Sequence, residues 1–151
     1  MHLLNYMQPL VMVIIYFQNH AITLTYDEEH QLGMAKCVGF LSSEEFREAT
    51  IMSVRMMEKF KPLRWLADNR RMRAIRQADQ EWFAAYTLPR LQTGSIRRSA
   101  TVVSEDIFNK MAVEQFLKRA DHLGDIVMKE FDNIEEARAW VKEPISFRAQ
   151  G

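Results

Sequence analysis

The spacing of hydrophobic and polar positions first changes near residue 42 of this chain. Before that point, apolar residues run continuously from Val11 to Phe17 and then alternate with polar ones from Ala21 to Asp27. Leu32 to Leu41 continues the extended pattern, with Gly33 and Gly39 as possible bulge positions. Such runs and alternations are typical of strands. The first third of the chain therefore predicts three antiparallel strands.

After residue 42 the apolar positions recur at helical spacing. Ser42 and Glu45 stand at the spacing of a capping box, and Pro62 ends the helix that they begin. Arg64 to Ala67 is a short apolar segment bounded by polar residues, which indicates an interior strand. The polar stretch behind it, from Asp68 onwards, is predicted to be a turn.

The second half of the chain continues this alternation of strands and helices. It predicts, in order, a helix at about Ala78–Tyr86, a strand at Arg98–Val103, a helix to about Arg119, a strand at Ile126–Phe131 and a helix at Ile134–Lys142. Pro89 should kink or end the first of these helices. Ser104 is expected to cap the second, and Asn133 the last.

The predicted element order is β-β-β-α-β-α-β-α-β-α, which places the chain in the α/β class. Strands that alternate with helices pair in parallel through right-handed crossovers. We therefore expect a mixed sheet of about six strands with helices packed on it. No linker or repeat divides the sequence, so a single domain over residues 1–151 is predicted, with irregular ends at about 1–10 and 144–151.

Composition narrows the function classes. The 20 basic and 20 acidic side chains cancel, which gives no overall basic charge for nucleic-acid binding. Cys37 is the single cysteine, so an internal disulfide is excluded. A signal peptide would require Lys or Arg near its start, but no such residue occurs before Lys36. The apolar segment Leu10–Phe17 is shorter than the roughly 20 residues that span a bilayer. We expect a cytoplasmic protein without integral membrane association or nucleic-acid partner.

The segment from Asp68 to Arg76 is the best candidate site. Ligands and partners of open α/β sheets meet the carboxyl ends of strands. Asp68 could hold Arg70 or Arg71 in a charge-assisted pair that presents guanidinium groups to an acidic partner or an anionic headgroup. The structural alternative is that Asp68 and Asn69 cap the turn and the arginines are solvated. The predicted binding residues are Asp68, Asn69, Arg70, Arg71, Met72, Arg73 and Arg76.

Two further groups of apolar residues have alternative interpretations. Four aromatic residues could line an apolar pocket for a lipophilic ligand or could belong to the core: Trp65, Trp82, Phe83 and Tyr86. The helix after Ser42 carries more apolar positions than one buried face requires, including Ile51, Met52 and Val54. This surplus favours a second contact, most simply a homodimer interface.

No catalytic or metal-binding pattern stands out in the sequence. The four histidines lack the ligand spacing of a zinc site, and no phosphate-binding loop or nucleophile elbow is present. Cys37 lies in a predicted strand and is expected to be a buried, inert thiol. We predict no cofactor, no metal and no enzymatic activity. A hydrolase or transferase that uses Asp68 with a loop histidine is the weakest alternative.

Several phrases in order resemble the SpoIIAA-like group of single-domain bacterial proteins of the STAS/SEC14 type. They lie between about Val13 and Lys142 and comprise Ile22–Asp27, Gly39–Arg47, Trp65–Arg70, Asp79–Trp82, Leu88–Leu91, Phe131 and Glu136–Trp140. The resemblance implies a sheet with helices packed on it and a functional surface at one strand-to-helix turn. Cys37 departs from the tryptophan that is usual in the group.

The resemblance also implies a type of function. In anti-sigma-factor antagonists of the wider STAS class, this turn carries a phosphorylatable serine beside an aspartate. Asp68 matches the aspartate, but no Ser or Thr occupies positions 69–71. We therefore expect a non-enzymatic interaction or regulatory module without the phosphoacceptor, which acts through Asp68–Arg76 on an unknown protein partner or on a second copy. The alternative is a protein that binds an acyl chain or an anionic lipid.

Overall fold

The computed structural model describes residues 12–121 and 123–146. Six strands are present, namely β1 (Val13–Gln18), β2 (Ile22–Asp27), β3 (Leu32–Gly39), β4 (Arg64–Met72), β5 (Arg98–Val102) and β6 (Val127–Phe131). The helices are α1 (Ser43–Phe60), α2 (Gln77–Gln92), α3 (Ile107–Arg119) and α4 (Ile134–Lys142). The predicted α/β class and element order are confirmed. Val11, His2, His122 and most of the predicted irregular ends lie outside the described residues.

The six strands form one sheet whose spatial order is their order in the chain. β1, β2 and β3 pair antiparallel, and β3, β4, β5 and β6 pair parallel. Right-handed crossovers that all step in one direction place their helices on one face of a sheet. α1, α2 and α3 accordingly share one face. α4 follows the last strand and covers the other, which we call the α4 face.

The two faces are covered differently. On the α4 face, Leu66 and Ala100 pack against Ala137 and Val141 in a closed cluster, because α4 lies directly on β4 and β5. On the opposite face, α1 contacts β2 and β3, but α2 and α3 lie mainly against other helices and have almost no close approach to the strands. This arrangement leaves space between the sheet and α2 and α3.

Gly33 sets the position of the largest side chain on the face opposite α4. A Cβ atom at Gly33 would lie 2.5 Å from Cζ3 of Trp65, which is inside van der Waals contact. The glycine therefore lets the indole ring lie across β3. The bulge expected at Gly33 or Gly39 lies in β4 instead, because Asp68 pairs with Lys36 but Arg71 pairs with Val38.

β4 is longer than the sequence predicted. The strand was expected to end at Ala67, but it continues through Asp68 to Met72. The strand is interior, so its backbone pairs on both sides, with Asp68 opposite both Lys36 and Val102. Pairing with distant strands outweighs the weak strand preference of these polar residues. The predicted turn is therefore wrong over Asp68–Met72 and shortens to Arg73–Arg76.

The end predicted at about Tyr86 for α2 and the cap predicted at Ser104 for α3 were also wrong. α2 continues through Pro89 to Gln92, since the proline removes only the bond to the carbonyl of Ala85, which is exposed and can be hydrated. Asp106 rather than Ser104 caps α3 by accepting hydrogen bonds from the first backbone amides. The Ser104 hydroxyl instead donates to the carbonyl of Met72 at 2.6 Å. The predicted caps at Ser42 and Asn133 are confirmed.

Candidate functional site

A cavity of about 250 Å³ lies between the sheet and the three helices α1, α2 and α3. Its floor includes several small or polar side chains of β3, β4 and β5: Ala35, Cys37, Ala67, Asn69, Ser99 and Thr101. Its walls are mostly apolar and include Phe46 of α1, Phe83 of α2 and Phe116 of α3. We call this side of the sheet the cavity face.

Two of the four predicted pocket aromatics line the cavity, namely Trp65 and Phe83. The Phe83 ring lies between the rings of Phe46 and Phe116, at centroid distances of 5.7 and 5.0 Å, and joins the three helices. Trp82 and Tyr86 lie one turn apart on another stripe of α2 and stack on each other at 5.1 Å. These two rings are outside the cavity wall.

The apolar surplus of α1 is used inside the molecule. Val54 is buried and lines the cavity, and Met52 packs against the main core. Ile51 is half-buried. The surplus therefore gives no separate indication of a homodimer interface on α1.

A polar strip crosses the cavity floor. It consists of Asn69 on β4 and of Ser99 and Thr101 on β5. Within the described part of the chain, no hydrogen bond joins these three side chains to any other group. The hydroxyl groups of Thr50 and Thr87, by contrast, bond to the carbonyls one helical turn earlier. The polar strip can therefore offer hydrogen bonds to a molecule in the cavity.

The charged side chains at the cavity rim have partners within the protein. Arg119 of α3 donates to Glu81 of α2 at 3.2 Å, an ion pair that spans the opening between the two helices. Arg90 donates to the carbonyl of Tyr86 at 2.7 Å and lies 3.8 Å from the centre of its ring. Both arginines are exposed, and these contacts fix their side chains at the rim.

Cys37 lies in the cavity floor as a protonated thiol. Burial raises its pKa to about 12, and the nearby charge of Asp68 contributes in the same direction. A thiol with such a pKa is almost entirely protonated at neutral pH and is a poor nucleophile. Its position favours a structural role as part of the cavity floor.

Asp68 and Arg70 form a closed pair. Nε and Nη2 of Arg70 donate to the two carboxylate oxygens of Asp68 at 2.9 and 2.8 Å. Burial opposes ionisation of Asp68, but the hydrogen bonds from Arg70 outweigh it and lower the pKa of the carboxyl. The same bonds raise the pKa of Arg70, with a smaller effect of Glu135 on α4. The charge of Arg70 is therefore already satisfied within the molecule.

The predicted binding segment is divided over three places. Asp68 follows Leu66 by two residues and so points to the α4 face, together with its partner Arg70. Asn69 and Met72 line the cavity on the opposite side. The side chains of Arg71, Arg73 and Arg76 are exposed where β4 ends, and we call these three residues the arginine edge.

Hydrogen bonds join the loops around the arginine edge. The Arg73 amide donates to the carbonyl of Gly39 at 3.0 Å, and Asn109 Nδ2 donates to the carbonyl of Arg73 at 3.0 Å. The Arg76 guanidinium lies 5.0 Å from the centre of the Phe40 ring. The ends of β3 and β4 and the first turn of α3 thus form one connected surface.

Sequence reasoning missed the apolar members of that surface. Phe40, Ile107, Phe108 and Met111 are all exposed. The signal that could have revealed them is the apolar sequence at the start of α3. Ile107, Phe108 and Met111 lie on a different stripe of the helix from its buried residues, Asn109, Ala112 and Val113.

The described histidines have partners other than Asp68. His20 pairs with Glu45, and His30 pairs with Asp27 at 2.8 Å. Nothing among these contacts supports a hydrolase that combines Asp68 with a loop histidine. Asp27, Glu29 and His30 are close enough to hold a metal ion, but Asp27 already accepts hydrogen bonds from the His30 amide and ring, which stabilise the β2–β3 turn.

Comparison with known proteins places this chain in a family. The family model described as SpoIIAA-like matches residues 34–142, well over half of the chain. The chain belongs to the SpoIIAA-like family. The match confirms the resemblance inferred from the sequence phrases, and it includes most of the cavity floor and the whole arginine edge. β1 and β2 of this SpoIIAA-like protein precede the matched region.

A solved structure is also similar to this SpoIIAA-like chain. It is the crystal structure of an uncharacterised protein of the DUF3478 family with a SpoIIAA-like fold from Shewanella loihica PV-4. The two share 14% sequence identity over 86% of this chain and 92% of the other, with a TM-score of 0.48. No curated protein matches the chain. Among the described residues, no helix has the length and apolar content needed to cross a bilayer.

Proposed function

We propose that this SpoIIAA-like protein is a cytoplasmic, non-enzymatic binding protein for a small lipophilic molecule that carries one uncharged polar group. The cavity on the cavity face is the observation that carries the proposal. An apolar protein cavity of about 150 Å³ can hold benzene. A cavity of about 250 Å³ has room for a larger lipophilic molecule.

The construction of the floor explains why the cavity exists. β4 and β5 present Ala67, Ser99 and Thr101 where a closed core would carry larger side chains. α2 and α3 above have almost no close approach to the strands, and large rings, including Trp65 and Phe83, lie at the margin of the cavity. Small residues below and large ones at the margin leave a space that the protein itself does not fill.

The wall chemistry defines the ligand. Aromatic and aliphatic walls favour an apolar body, because such a ligand loses contact with water when it enters. The polar strip offers hydroxyl and amide groups but no charge, and the rim arginines are held by Glu81 and Tyr86. The site therefore favours an alcohol, ketone, ester or amide over a free carboxylate.

The arginine edge supports an interaction role beside ligand binding. The interaction surface expected over Asp68–Arg76 narrows to Arg71, Arg73 and Arg76, because Arg70 is held by Asp68. A protein partner or a second copy of the chain stays a prediction for this surface. The cavity lies behind it and is a separate site.

Ligand binding can be tested with the uncharged dye Nile red, whose fluorescence increases in apolar surroundings. We expect saturable binding to the wild-type protein. Ala67→Leu places three additional carbon atoms on the cavity floor and should weaken binding at least tenfold. Ala85→Leu makes the same change on the exposed side of α2 and should leave dye affinity within twofold of wild type.

Native mass spectrometry of protein purified from cells complements the titration. A co-purifying neutral species, present in wild type and Ala85→Leu but absent from Ala67→Leu, is the expected result. A clean apo mass together with no saturable dye binding would contradict the proposal. Equal dye affinity of the two leucine variants would also contradict it, since the ligand would then lie outside the cavity.

A further inference from the structure

Four large apolar side chains are exposed near the carboxyl ends of the parallel strands. Ile107 is 63% exposed, Phe108 68%, Met111 48% and Phe40 53%. Single exposed apolar residues are ordinary on protein surfaces, but a cluster of this kind marks an interaction site. Three of these residues lie within the first five positions of α3.

The cluster is held in place by buried polar contacts. Asn109 is fully buried and donates to the carbonyl of Arg73, while the Ser104 hydroxyl donates to the carbonyl of Met72. Both contacts tie the start of α3 to the end of β4. Phe40 contacts Arg76 from the neighbouring loop. The apolar side chains and the arginine edge therefore lie on one connected surface.

The charge of this surface is positive. In the described residues, Arg71, Arg73 and Arg76 form no ion pair, and Lys110 lies beside Met111. Of the acidic side chains close in sequence, Asp68 and Asp79 are paired with Arg70 and Arg47, and Asp106 is engaged with backbone amides as the cap of α3, which leaves Glu44, Glu105 and Glu114. Cationic side chains thus surround exposed aromatic and aliphatic ones, a combination that suits an anionic lipid surface.

The segments that carry this surface also contribute to the cavity wall. Leu41, Met72 and Ile75 line the cavity and belong to the segments that carry Phe40 and the arginine edge. The exposed surface and the cavity are therefore built from the same segments.

We propose that this surface docks onto an anionic phospholipid bilayer. Phe40, Ile107, Phe108 and Met111 enter the interfacial region, and the arginine edge contacts the lipid phosphates. Arginine suits this role because its planar fork of donors matches phosphate oxygens. This proposal goes beyond ligand binding, and it rests on the exposed surface and its charge rather than on an occupied cavity.

Co-sedimentation with vesicles tests the apolar contribution. We expect the wild-type protein to bind vesicles of phosphatidylcholine mixed with phosphatidylserine more tightly than vesicles of phosphatidylcholine alone. The double variant Ile107→Ser, Phe108→Ser should bind the anionic vesicles at least tenfold more weakly. Val127→Ser removes an equally exposed apolar side chain at the opposite end of the strands and should stay within twofold of wild type.

A charge variant tests the electrostatic contribution. Arg73→Gln should weaken binding to anionic vesicles about fivefold, the effect expected for one basic side chain near such a surface. Arg138→Gln, on the exposed side of α4, should stay within twofold of wild type. Binding should also weaken as salt is added. Circular dichroism and thermal unfolding establish that each variant is folded.

Three outcomes would overturn the proposal. The first is that the wild-type protein does not bind anionic vesicles, and the second is that it binds anionic and neutral vesicles equally well. The third is that Arg73→Gln and the double variant Ile107→Ser, Phe108→Ser both bind anionic vesicles as tightly as wild type. A protein partner that is lost in Arg73→Gln, without any vesicle binding, would identify the edge as a protein interface instead. Ala67→Leu distinguishes this proposal from the ligand proposal, because it should lose dye binding and keep vesicle binding.

Discussion

The two faces of the sheet differ although the same strands form both. Leu66 and Ala67 are neighbours in β4, yet Leu66 is fully buried against α4 and Ala67 lies in the floor of a cavity. On the α4 face, the small residue Ala137 lets a short helix approach the strands closely. On the cavity face, Phe83 packs between Phe46 and Phe116, so α2 and α3 lie against other helices rather than on the strands. Closed packing stabilises the fold under α4 and under α1, and incomplete packing beneath α2 and α3 leaves a binding site on the cavity face.

Truncation of a buried leucine should separate the faces most clearly. Leu66→Ala removes a fully buried side chain from the closed cluster and should lower the free energy of unfolding by about 3–5 kcal/mol. Leu41→Ala acts at the cavity margin, where the side chain has fewer neighbours to lose, and should cost about 2 kcal/mol. Urea unfolding measures both values. Equal losses would show that the two sides are packed alike.

Enlarging an alanine should give the next largest difference. Ala100→Leu forces a larger side chain into the cluster under α4 and should cost about 1–3 kcal/mol. Ala67→Leu enters existing space and should change stability by less than about 1 kcal/mol. Thermal unfolding at one pH gives the comparison. Severe destabilisation by Ala67→Leu would mean that the cavity is filled in solution.

The Asp68–Arg70 pair predicts a smaller effect that depends on pH. Arg70→Ala leaves a buried carboxylate without its partner and should cost about 1–2 kcal/mol at pH 7, moderated because the guanidinium is 43% exposed. The folded-state pKa of Asp68 is lowered, so the pair stabilises the fold above the unfolded pKa of about 3.9. This stabilisation is lost as the pH falls through the lower folded value.

The difference in stability between Arg70→Ala and wild type should therefore shrink as the pH approaches 3. Arg71→Ala, which removes an exposed arginine without an ion pair among the described residues, is the matched control and should show little change at any pH. Chemical unfolding across pH 3–7 gives the profile. If the stability difference between Arg70→Ala and wild type stayed constant over this range, the ionised Asp68 carboxylate would not be its source.

Much of the fold could be predicted because its signals are local. The capping box of Ser42 and Glu45 and the cap at Asn133 mark helix starts within a few residues. The length of β4 could not be predicted, because Asp68 and Met72 enter the sheet through partners far away in the sequence. Local patterns contain little information about such pairing.

The candidate site was predictable only in part. The sequence suggested that Asp68 pairs with Arg70 or Arg71. It could not predict that the Asp68–Arg70 pair faces α4, because that direction follows from side-chain alternation in β4, which was expected to end at Ala67. Trp65 and Phe83 were proposed as pocket residues beside the alternative of core packing. The cavity depends on the distance between helices and sheet, which no single segment determines.

The order of strands has a consequence for synthesis of the chain. Each strand pairs with the one made just before it, so β1 to β6 can join the sheet one after another as they leave the ribosome. α1, α2 and α3 emerge between these strands and cover their side of the sheet during synthesis. α4 is made last. Until it emerges, the apolar surface around Leu66 and Ala100 stays uncovered, and a nascent chain that stalls before Ile134 is the form most exposed to aggregation.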